Sequence, residues 1–295
     1  MIENVLYNHL LNDSQLSPLL NQYDNKAAVF LQFIPNDTAE EWNNSNHYPQ
    51  LVFYIDTSGD AARKAAGMLS IDIICNGSEK KSLEEITSTL KQSVDGYFFT
   101  NESGDTFAAA WERTDGFSTE PGNKLYGNTV TFSLLAFPKQ SALPPDPINL
   151  LSNWMKETLD DSTVIGLDSL PEVFKPTDSK PAVYLSFSGQ TISNTYPSNY
   201  FVTWMDVDIR LHVMAETKSV QDDILRSVMQ LLAQQKRVMF STGDDASPFN
   251  INRLTGTFSS DPIRIGQLLI EGTYGVLNQK DVPKINHLTI DSKEN

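Results

Sequence analysis

Two distant stretches of the chain alternate hydrophobic and polar residues with a period of two. Residues 69–75 place Leu, Ile, Ile and Cys on one side, with Asp72 on the other. Residues 205–213 place five hydrophobic side chains on one side, with Asp208 among the polar residues opposite. Because successive side chains of a strand point to opposite faces, each stretch predicts a strand with one buried and one solvent-facing side, as in an antiparallel sheet.

Each alternating stretch is followed by the start signal of an amphipathic helix. Ser82 and Ser219 each precede an acidic residue by three positions, which is typical of a helix-capping pattern. Hydrophobic residues then recur at helical spacing, so each helix is expected to lay one apolar stripe on its sheet. Weaker amphipathic patterns near residues 2–11 and 150–159 predict a further helix at the start of each half.

The order of these elements occurs twice. A proline opens a hydrophobic run at residues 49–55 and another at residues 181–187. The prolines, the alternating strands and the helix-start serines of the two halves lie 132, 136 and 137 residues apart. A tandem duplication is the simplest explanation, and a period this long indicates two domains rather than a solenoid. The predicted fold class is therefore α+β, with two tandem similar domains that each pack helices on an antiparallel or mixed β-sheet.

Prolines and polar residues place the boundaries of these domains. Residues 141–147 contain three prolines. They are expected to form a semi-rigid linker, because proline continues neither a helix nor a central strand. The first unit then covers residues 1–140 and the second covers residues 148–277. Residues 278–295 are polar and are expected to form a loosely held tail.

The composition describes a globular and strongly acidic chain. Of the 295 residues, 40% are hydrophobic and 20% are charged, which excludes a disordered protein. No apolar run reaches the roughly 18 residues of a membrane helix, and the N-terminus shows no secretory signal, so synthesis inside the cell is expected. The formal net charge is −15, whereas nucleic-acid-binding surfaces are basic. The acidity either keeps the chain in solution or forms a surface that repels DNA, as the wall of a conduit would.

Residue patterns that carry catalysis or metal binding are scarce. The four histidines, His9, His47, His212 and His287, are far apart and lack metal-ligand spacing. Cys75 is the only cysteine and lies in an apolar stretch. Nucleophile-elbow and phosphate-binding glycine patterns are missing, and neighbouring carboxylates are typical of solvated helix faces. We therefore expect a protein that is not an enzyme, with no catalytic, cofactor or metal site, and we expect His212 to be exposed.

Asp72 and Asp208 are the acidic residues whose placement suggests a functional hypothesis. Each sits between two hydrophobic residues on one of the predicted alternating strands, and the two positions are expected to match in the repeat. Both side chains are expected to point away from the core. Either they are ordinary polar residues of an exposed face, or repeated copies of them line a negatively charged pore.

The order of elements in each half resembles the tail-terminator (tail-completion) family of long-tailed bacteriophages. No short diagnostic motif carries this resemblance, which covers most of the chain. In the first unit it rests on five elements. They are the opening helix (residues 2–11), the proline-led strand (49–55), the alternating strand (69–75), the capped helix (82–94) and the closing strands, which end at residue 137. The second unit repeats these elements over residues 150–277.

The resemblance implies a structural virion protein of the phage neck. Members of the family form a ring at the head-proximal end of the tail tube, stop tube polymerisation and dock the head-completion or connector protein. They are usually single-unit hexamers, so two units leave the stoichiometry open between a trimer with pseudo-six-fold symmetry and a hexamer. The expected location is the virion, with assembly in the host cytoplasm. DNA is expected only to pass through the lumen, and the tail type, contractile or not, stays open.

Exposed strand edges are natural templates for capping a tube, and the closing strands of each unit are the candidates for this role. The candidate interface residues on or next to these strands are Thr129, Thr131, Ser133, Gln267 and Glu271. Large aromatic residues outside the predicted core either serve an interface or pack under loops, namely Trp42, Tyr48, Trp111, Tyr126, Tyr196 and Tyr200. The alternative functions are a head–tail joining or baseplate protein and a hydrolase that uses one of the acidic pairs.

Overall fold

A computed structural model describes residues 2–278 except 37, 43–46, 58–64, 78–81, 119–124, 141, 143, 168–169 and 241–246. Within these residues the chain is a mixed α and β protein, as the hydrophobic pattern predicts. Most of the predicted tail, and Ser141 and Leu143 of the predicted linker, lie outside the described residues.

The helices and strands follow the predicted order in each half. The first half forms α1 (Ile2–Asn12), β1 (Gln22–Tyr23), β2 (Lys26–Ala27), β3 (Val29–Leu31), β4 (Gln50–Thr57), β5 (Ala65–Asn76), α2 (Leu83–Val94), β6 (Phe98–Thr100), β7 (Thr106–Ser118) and β8 (Leu125–Ala136). The second half forms α3 (Pro147–Thr158), β9 (Val164–Ile165), β10 (Val173–Phe174), β11 (Ala182–Ile192), β12 (Val202–Met214), α4 (Lys218–Gln235), β13 (Arg237–Met239), β14 (Pro248–Gly256) and β15 (Leu268–Leu277).

The strands form two larger sheets and the small hairpin β1–β2. The first sheet has the order β10-β6-β7-β8-β5-β4-β3, and the second has the order β13-β14-β15-β12-β11-β9. Neighbouring strands are antiparallel except for the edge pairs β3–β4 and β9–β11, which are parallel. Both sheets are thus mixed, with the alternating strand and the closing strand side by side in the interior of each.

Local signals place the start of α2 correctly and miss those of α3 and α4 by a few residues. The Ser82 hydroxyl accepts a hydrogen bond of 3.0 Å from the Glu85 amide, as the capping pattern predicts. The expected start at Ser219 is wrong by two residues, because Thr217 caps α4 and Ser219 lies within its first turn. The linker prediction is wrong at Pro147, which begins α3 behind the cap Asp146. Proline is tolerated there because the first amide of a helix has no intrahelical partner.

In each sheet, one face is covered by two helices. In the first sheet, α1 and α2 bury side chains such as Leu10 and Leu90 against Ile71 on β5. In the second sheet, α3 and α4 bury Leu151 and Leu232 and their neighbours against the hydrophobic side of β12. These two clusters are the hydrophobic cores that the alternating strands predict. We call this side of each sheet the helix face.

The opposite faces of the two sheets meet in a third buried cluster. Phe98, Leu135 and Phe137 of the first half pack there against Ala182, Tyr184 and Met214 of the second half. The Tyr184 hydroxyl donates a 2.7 Å hydrogen bond to the Pro138 carbonyl. Strand β10 also joins the first sheet by pairing with β6, so a short piece of the second half extends the first sheet. The two halves are therefore in direct apolar contact.

The expectation that His212 is exposed is wrong. Only 2% of its surface is accessible, although it lies on the polar side of β12. Its ring packs edge-on against Phe137 and Tyr184, and Nδ1 lies 2.7 Å from the Pro262 carbonyl. The polar side of β12 is thus buried at this end, because the first half covers it.

None of the helices in the described residues is long and apolar enough to cross a membrane.

Candidate interaction surfaces

Both candidate aspartates lie on the sheet face opposite the helices, as expected. Asp72 on β5 is half-buried and accepts a 2.6 Å hydrogen bond from the Thr129 hydroxyl of the neighbouring strand. Asp208 on β12 is exposed and lies between Gly189 and Glu271 on the adjacent strands. Their placement along a pore stays a prediction.

The two aspartates do not occupy matching positions when strand pairing is used as the reference. The residue paired with the first position of β4 is Ile74, and the residue paired with the first position of β11 is Met214. Asp72 lies two residues before Ile74, whereas Asp208 lies six residues before Met214. Counted from these two pairs, His212 rather than Asp208 corresponds to Asp72. The threonine contacts give another correspondence, because Asp206 accepts a hydrogen bond from Thr273 as Asp72 does from Thr129, and the equivalence of Asp72 and Asp208 stays a prediction.

The closing strands β8 and β15 are paired on both sides over Tyr126–Leu135 and Leu268–Tyr274. β8 pairs with β5 on one side and β7 on the other, and β15 pairs with β12 and β14. A strand whose two edges are already hydrogen-bonded cannot template another strand. The expectation that these strands offer edges for capping is therefore wrong, and any contact they make must use side chains.

The five candidate residues of these strands are engaged within the chain. Thr129 donates to Asp72, Thr131 is buried, and Ser133 donates to Glu112. The Gln267 side chain is buried just before β15 and bonds both the amide and the carbonyl of Val213 at 2.9 and 2.8 Å. Glu271 is half-buried and forms a 3.9 Å ion pair with Arg253. These side chains therefore hold neighbouring strands together.

Glu112 links the two halves through an ion pair. Arg264 of the second half places Nη1 2.8 Å from its carboxylate. The Ser133 hydroxyl and the Arg264 guanidinium both donate to this group and lower the pKa of the Glu112 carboxyl. The carboxylate therefore stays ionised and contributes to the contact between the halves.

A serine, a histidine and an aspartate meet near the end of α1, where the hydrolase alternative can be examined. The Ser93 hydroxyl donates to the Asp13 carboxylate at 2.6 Å and lies 3.3 Å from Nε2 of His9. A nucleophilic serine must instead donate its proton to the histidine, and the histidine must be oriented by the carboxylate. This geometry therefore does not favour nucleophilic hydrolysis.

The same group has a structural role. The Asp13 carboxylate also accepts bonds of 2.9 Å from the amides of Gln15 and Leu16. Burial raises the pKa of Asp13, but the hydrogen bonds from Ser93 and these amides outweigh it, and the pKa lies below its ordinary value of 3.8. The ionised carboxylate thus holds the turn after α1 against the end of α2. In the described part of the chain, no three His, Cys, Asp or Glu side chains cluster as metal ligands would.

Among the described residues, the turn between β11 and β12 presents the largest group of exposed apolar side chains on one short segment. We call residues 192–204 the β11–β12 tip. Tyr200 and Phe201 are each 71% exposed and Ile192 is 62% exposed, and Leu277 of β15 is exposed beside Val202. Residues 181–205 contain no charged residue, in a chain that is 20% charged. Aromatic enrichment and charge depletion are the features of an interface core.

Hydrogen bonds within the β11–β12 tip hold these side chains in place. The Asn199 side chain accepts bonds from the amides of Phe201 and Val202 at 2.8 and 3.0 Å. The side-chain amide of Asn278 donates to the Asn199 and Tyr200 carbonyls at 2.9 and 3.3 Å. A segment that is already ordered loses less conformational entropy on binding. The tip is therefore pre-organised as a contact surface.

A second candidate surface is an open groove of about 520 Å³ between α2 and the strands β7 and β8. We call it the α2 groove, and its lining includes Leu83, Thr87, Ser88, Lys91, Trp111 and Thr114. Trp111 is 39% exposed, and the Lys91 ammonium lies 3.5 Å from the centre of its ring. An exposed indole beside an apolar groove can accept a side chain from another molecule.

The aromatic residues named as interface candidates divide between these surfaces and the core. Tyr196 and Tyr200 lie on the β11–β12 tip and Trp111 lies on the α2 groove, whereas Trp42 is buried. Sequence reasoning missed Phe201 as part of the exposed set. The uncharged run of residues 181–205 is the signal that identifies it.

Comparison of the chain with protein-family models, with curated proteins and with solved structures finds no match in any of the three.

Proposed function

We propose that the protein is a structural virion component that forms a ring at the head-proximal end of a phage tail tube. The ring ends tube polymerisation and provides the docking surface for the head-completion or connector protein. Its partners are the tail tube protein, the connector side and further copies of itself. It acts in the neck of the virion after assembly in the host cytoplasm.

The observation that carries this proposal is the repetition of one strand order in the two sheets. Apart from the edge strand β10 that the second half adds to the first sheet, each sheet runs from a short strand after the second helix, through the closing and alternating strands, to a parallel edge strand. Repetition of a whole sheet order with its helices supports a tandem duplication. A duplicated unit suits a ring, because three chains then supply six similar units and six chains supply twelve.

The charge of the chain supports passage of DNA rather than binding. A net charge of −15 disfavours contact with phosphates, and Asp208 adds an exposed carboxylate on the face opposite the helices. In the proposed ring, acidic faces of this kind surround the lumen. DNA moves through them without a specific site.

The proposal is tested by polymerising the tail tube protein of the same virion with and without the chain. The expected result is tubes of limited length that carry the chain at one end only. Tubes whose length distribution does not change, and whose ends do not bind the chain, contradict the proposal. Cross-linking of the chain to the portal side but not to the tube would instead support the head–tail joining alternative.

A further inference from the structure

Two different surfaces meet in the contact between the halves. The first half contributes Phe98 and Phe137, and the second half contributes Leu167 and Tyr184. None of these four side chains is more than 6% exposed. In a chain of two similar units, a contact of this kind uses one surface of each unit and leaves the other surface of each unit unused. Hydrogen-bonding landmarks shared by the two sheets locate the unused surfaces.

A β-bulge shows which residue of the second half corresponds to Phe137. Strands β7 and β14 each contain a bulge, which begins opposite Phe132 on β8 and opposite Gly272 on β15. Phe137 lies five residues after Phe132, and Leu277 lies five residues after Gly272. Because a bulge is a specific feature of a fold, it matches Leu277 with Phe137. Leu277 is 64% exposed, whereas Phe137 is buried.

The same bulge matches Met239 with Phe98. Phe98 pairs with the residue three positions before the start of the bulge in β7, and Met239 pairs with the residue three positions before the start of the bulge in β14. Met239 is 43% exposed, whereas Phe98 is buried. Met239 and Leu277 are therefore exposed at the positions where the first half is covered by the second.

A hydrogen bond after the parallel edge strand gives the correspondence for the first half. Gln32 follows β3 and Gly166 follows β9, each with a positive φ, of 64° and 79°. The Gln32 amide donates to the Phe53 carbonyl at 3.0 Å, and the Gly166 amide donates to the Val183 carbonyl at 2.9 Å. This landmark does not depend on where β4 and β11 begin. It matches Gln32 with Gly166 and Phe53 with Val183.

The residues next to this landmark are aromatic and exposed in the first half. Phe33 and Leu167 are the next residues after the positive φ, and Tyr54 and Tyr184 are the next residues after the accepting carbonyls. Phe33 is 81% exposed and Tyr54 is 41% exposed, whereas Leu167 and Tyr184 are buried between the halves. The first half therefore exposes the counterparts of side chains that the second half buries.

The sheet face of the first half differs from this pattern at one place. Ala182 on β11 lies in the cluster between the halves, whereas Val52 on β4 is covered by Trp42 of its own half. A contact through this face of the first half therefore relies on Phe33 and Tyr54.

We infer that Phe33 and Tyr54 of one copy pack against Met239 and Leu277 of the next copy, as the second half packs against the first within the chain. The contact is heterologous, so it repeats from copy to copy, and three chains close a ring of six similar units. The acidity of the chain does not prevent it, because both halves have more acidic than basic residues and an apolar cluster joins them. The inference rests on the proposed function, because it names the contact between the copies of the ring.

Cysteine cross-linking between two variants tests this contact in the full-length chain. Cys75 is the only native cysteine and is buried, so an introduced cysteine is the reactive one. Gln32→Cys places a thiol next to Phe33, and Arg237→Cys places one two residues before Met239; both positions are exposed. The two variants, one with a size tag, are mixed with and without tail tube protein and treated with a short bismaleimide. The expected product is a covalent dimer that contains one of each.

Serine variants separate this contact from non-specific association. Phe33→Ser and Leu277→Ser, each introduced into the cysteine variant of its own surface, are each expected to reduce the yield of the mixed dimer at least about tenfold. Ile192→Ser is the matched control, because this side chain is 62% exposed on β11, which β12 separates from β15. It is expected to leave the yield unchanged. An equal yield from all three variants, or a dimer formed as readily by either cysteine variant alone, contradicts the inference.

Failure of the inference can be told apart from failure of the proposed function. Rings or capped tubes that form without the mixed dimer overturn the contact and leave the proposed function. A mixed dimer without a ring, and without binding to the end of a tube, supports the contact and overturns the proposed function. Absence of the mixed dimer, of any ring and of tube binding overturns both.

Discussion

Phe137→Ala tests whether the two halves of the chain are held together by the cluster between the sheets. Phe137 is 3% exposed, and its ring lies 5.2 Å from Phe98, 5.1 Å from Tyr184 and 5.9 Å from His212. Truncation removes a phenyl group that contacts both halves, and the surrounding rings cannot close the space without moving the sheets.

The expected loss of stability follows from the area that the ring buries. A buried aromatic side chain removes about 200 Å² from water, which at about 25 cal/mol per Å² corresponds to about 5 kcal/mol. Measured substitutions of buried phenylalanine by alanine cost about 3–5 kcal/mol. Because a typical domain is stable by only about 5–15 kcal/mol, this loss is expected to uncouple the halves.

Urea unfolding and hydrogen exchange with mass spectrometry measure the two parts of this prediction. The free energy of unfolding is expected to fall by about 3–5 kcal/mol. Amides of β6–β8 and of β11–β12 are expected to lose protection together, because both sheets border the cluster. Phe33→Ala is the matched control, since this phenyl group is 81% exposed and its removal is expected to change stability by less than about 0.5 kcal/mol. A loss below about 1 kcal/mol for Phe137→Ala, or lost protection in one sheet only, would refute the reasoning.

Three further predictions, one of them with a matched control variant, test local features of the fold. Ser82→Ala removes the cap of α2 and is expected to cost about 1 kcal/mol in urea unfolding; an unchanged midpoint would contradict the capping role. Gly127→Ala would place a methyl carbon 1.9 Å from a backbone oxygen and is expected to cost about 3 kcal/mol, whereas Gly116→Ala, with 3.5 Å of clearance, is expected to be tolerated. Ser93→Ala is expected to raise the pKa of Asp13. The folded pKa of Asp13 lies below its ordinary value of 3.8, so the ionised carboxylate stabilises the native chain. The difference in the free energy of unfolding between the native chain and Ser93→Ala is therefore expected to be complete above pH 3.8 and to disappear as the pH falls through the folded pKa. A difference that does not change with pH would contradict this.

Features that depend on neighbouring residues were predictable from the sequence. The hydrogen bond between Ser82 and the Glu85 amide spans three residues, and the alternation on β12 has a period of two. Such patterns report helix starts and strand faces directly, since the geometry of one element determines them. The start of α4 was misplaced because Thr217 and Ser219 both resemble caps, and the sequence pattern does not choose between them.

Features that depend on distant residues were not predictable. His212 is buried because Phe137 of the other half covers it, and nothing in the alternation of β12 indicates that cover. β8 and β15 end their units in sequence but lie between other strands in space, because strand order is set by long-range pairing. Asp72 and Asp208 were matched by sequence context, whereas their registers against β4 and β11 depend on long-range pairing that the local pattern does not report.

The native mass of the purified chain, measured together with negative-stain images of the same sample, tests the central claim most directly. The account predicts a closed ring with a central opening that contains three or six chains of 32.9 kDa each, formed by the chain alone or on the end of a tail tube. Open filaments, or a monomer at every concentration with and without tube protein, would contradict it.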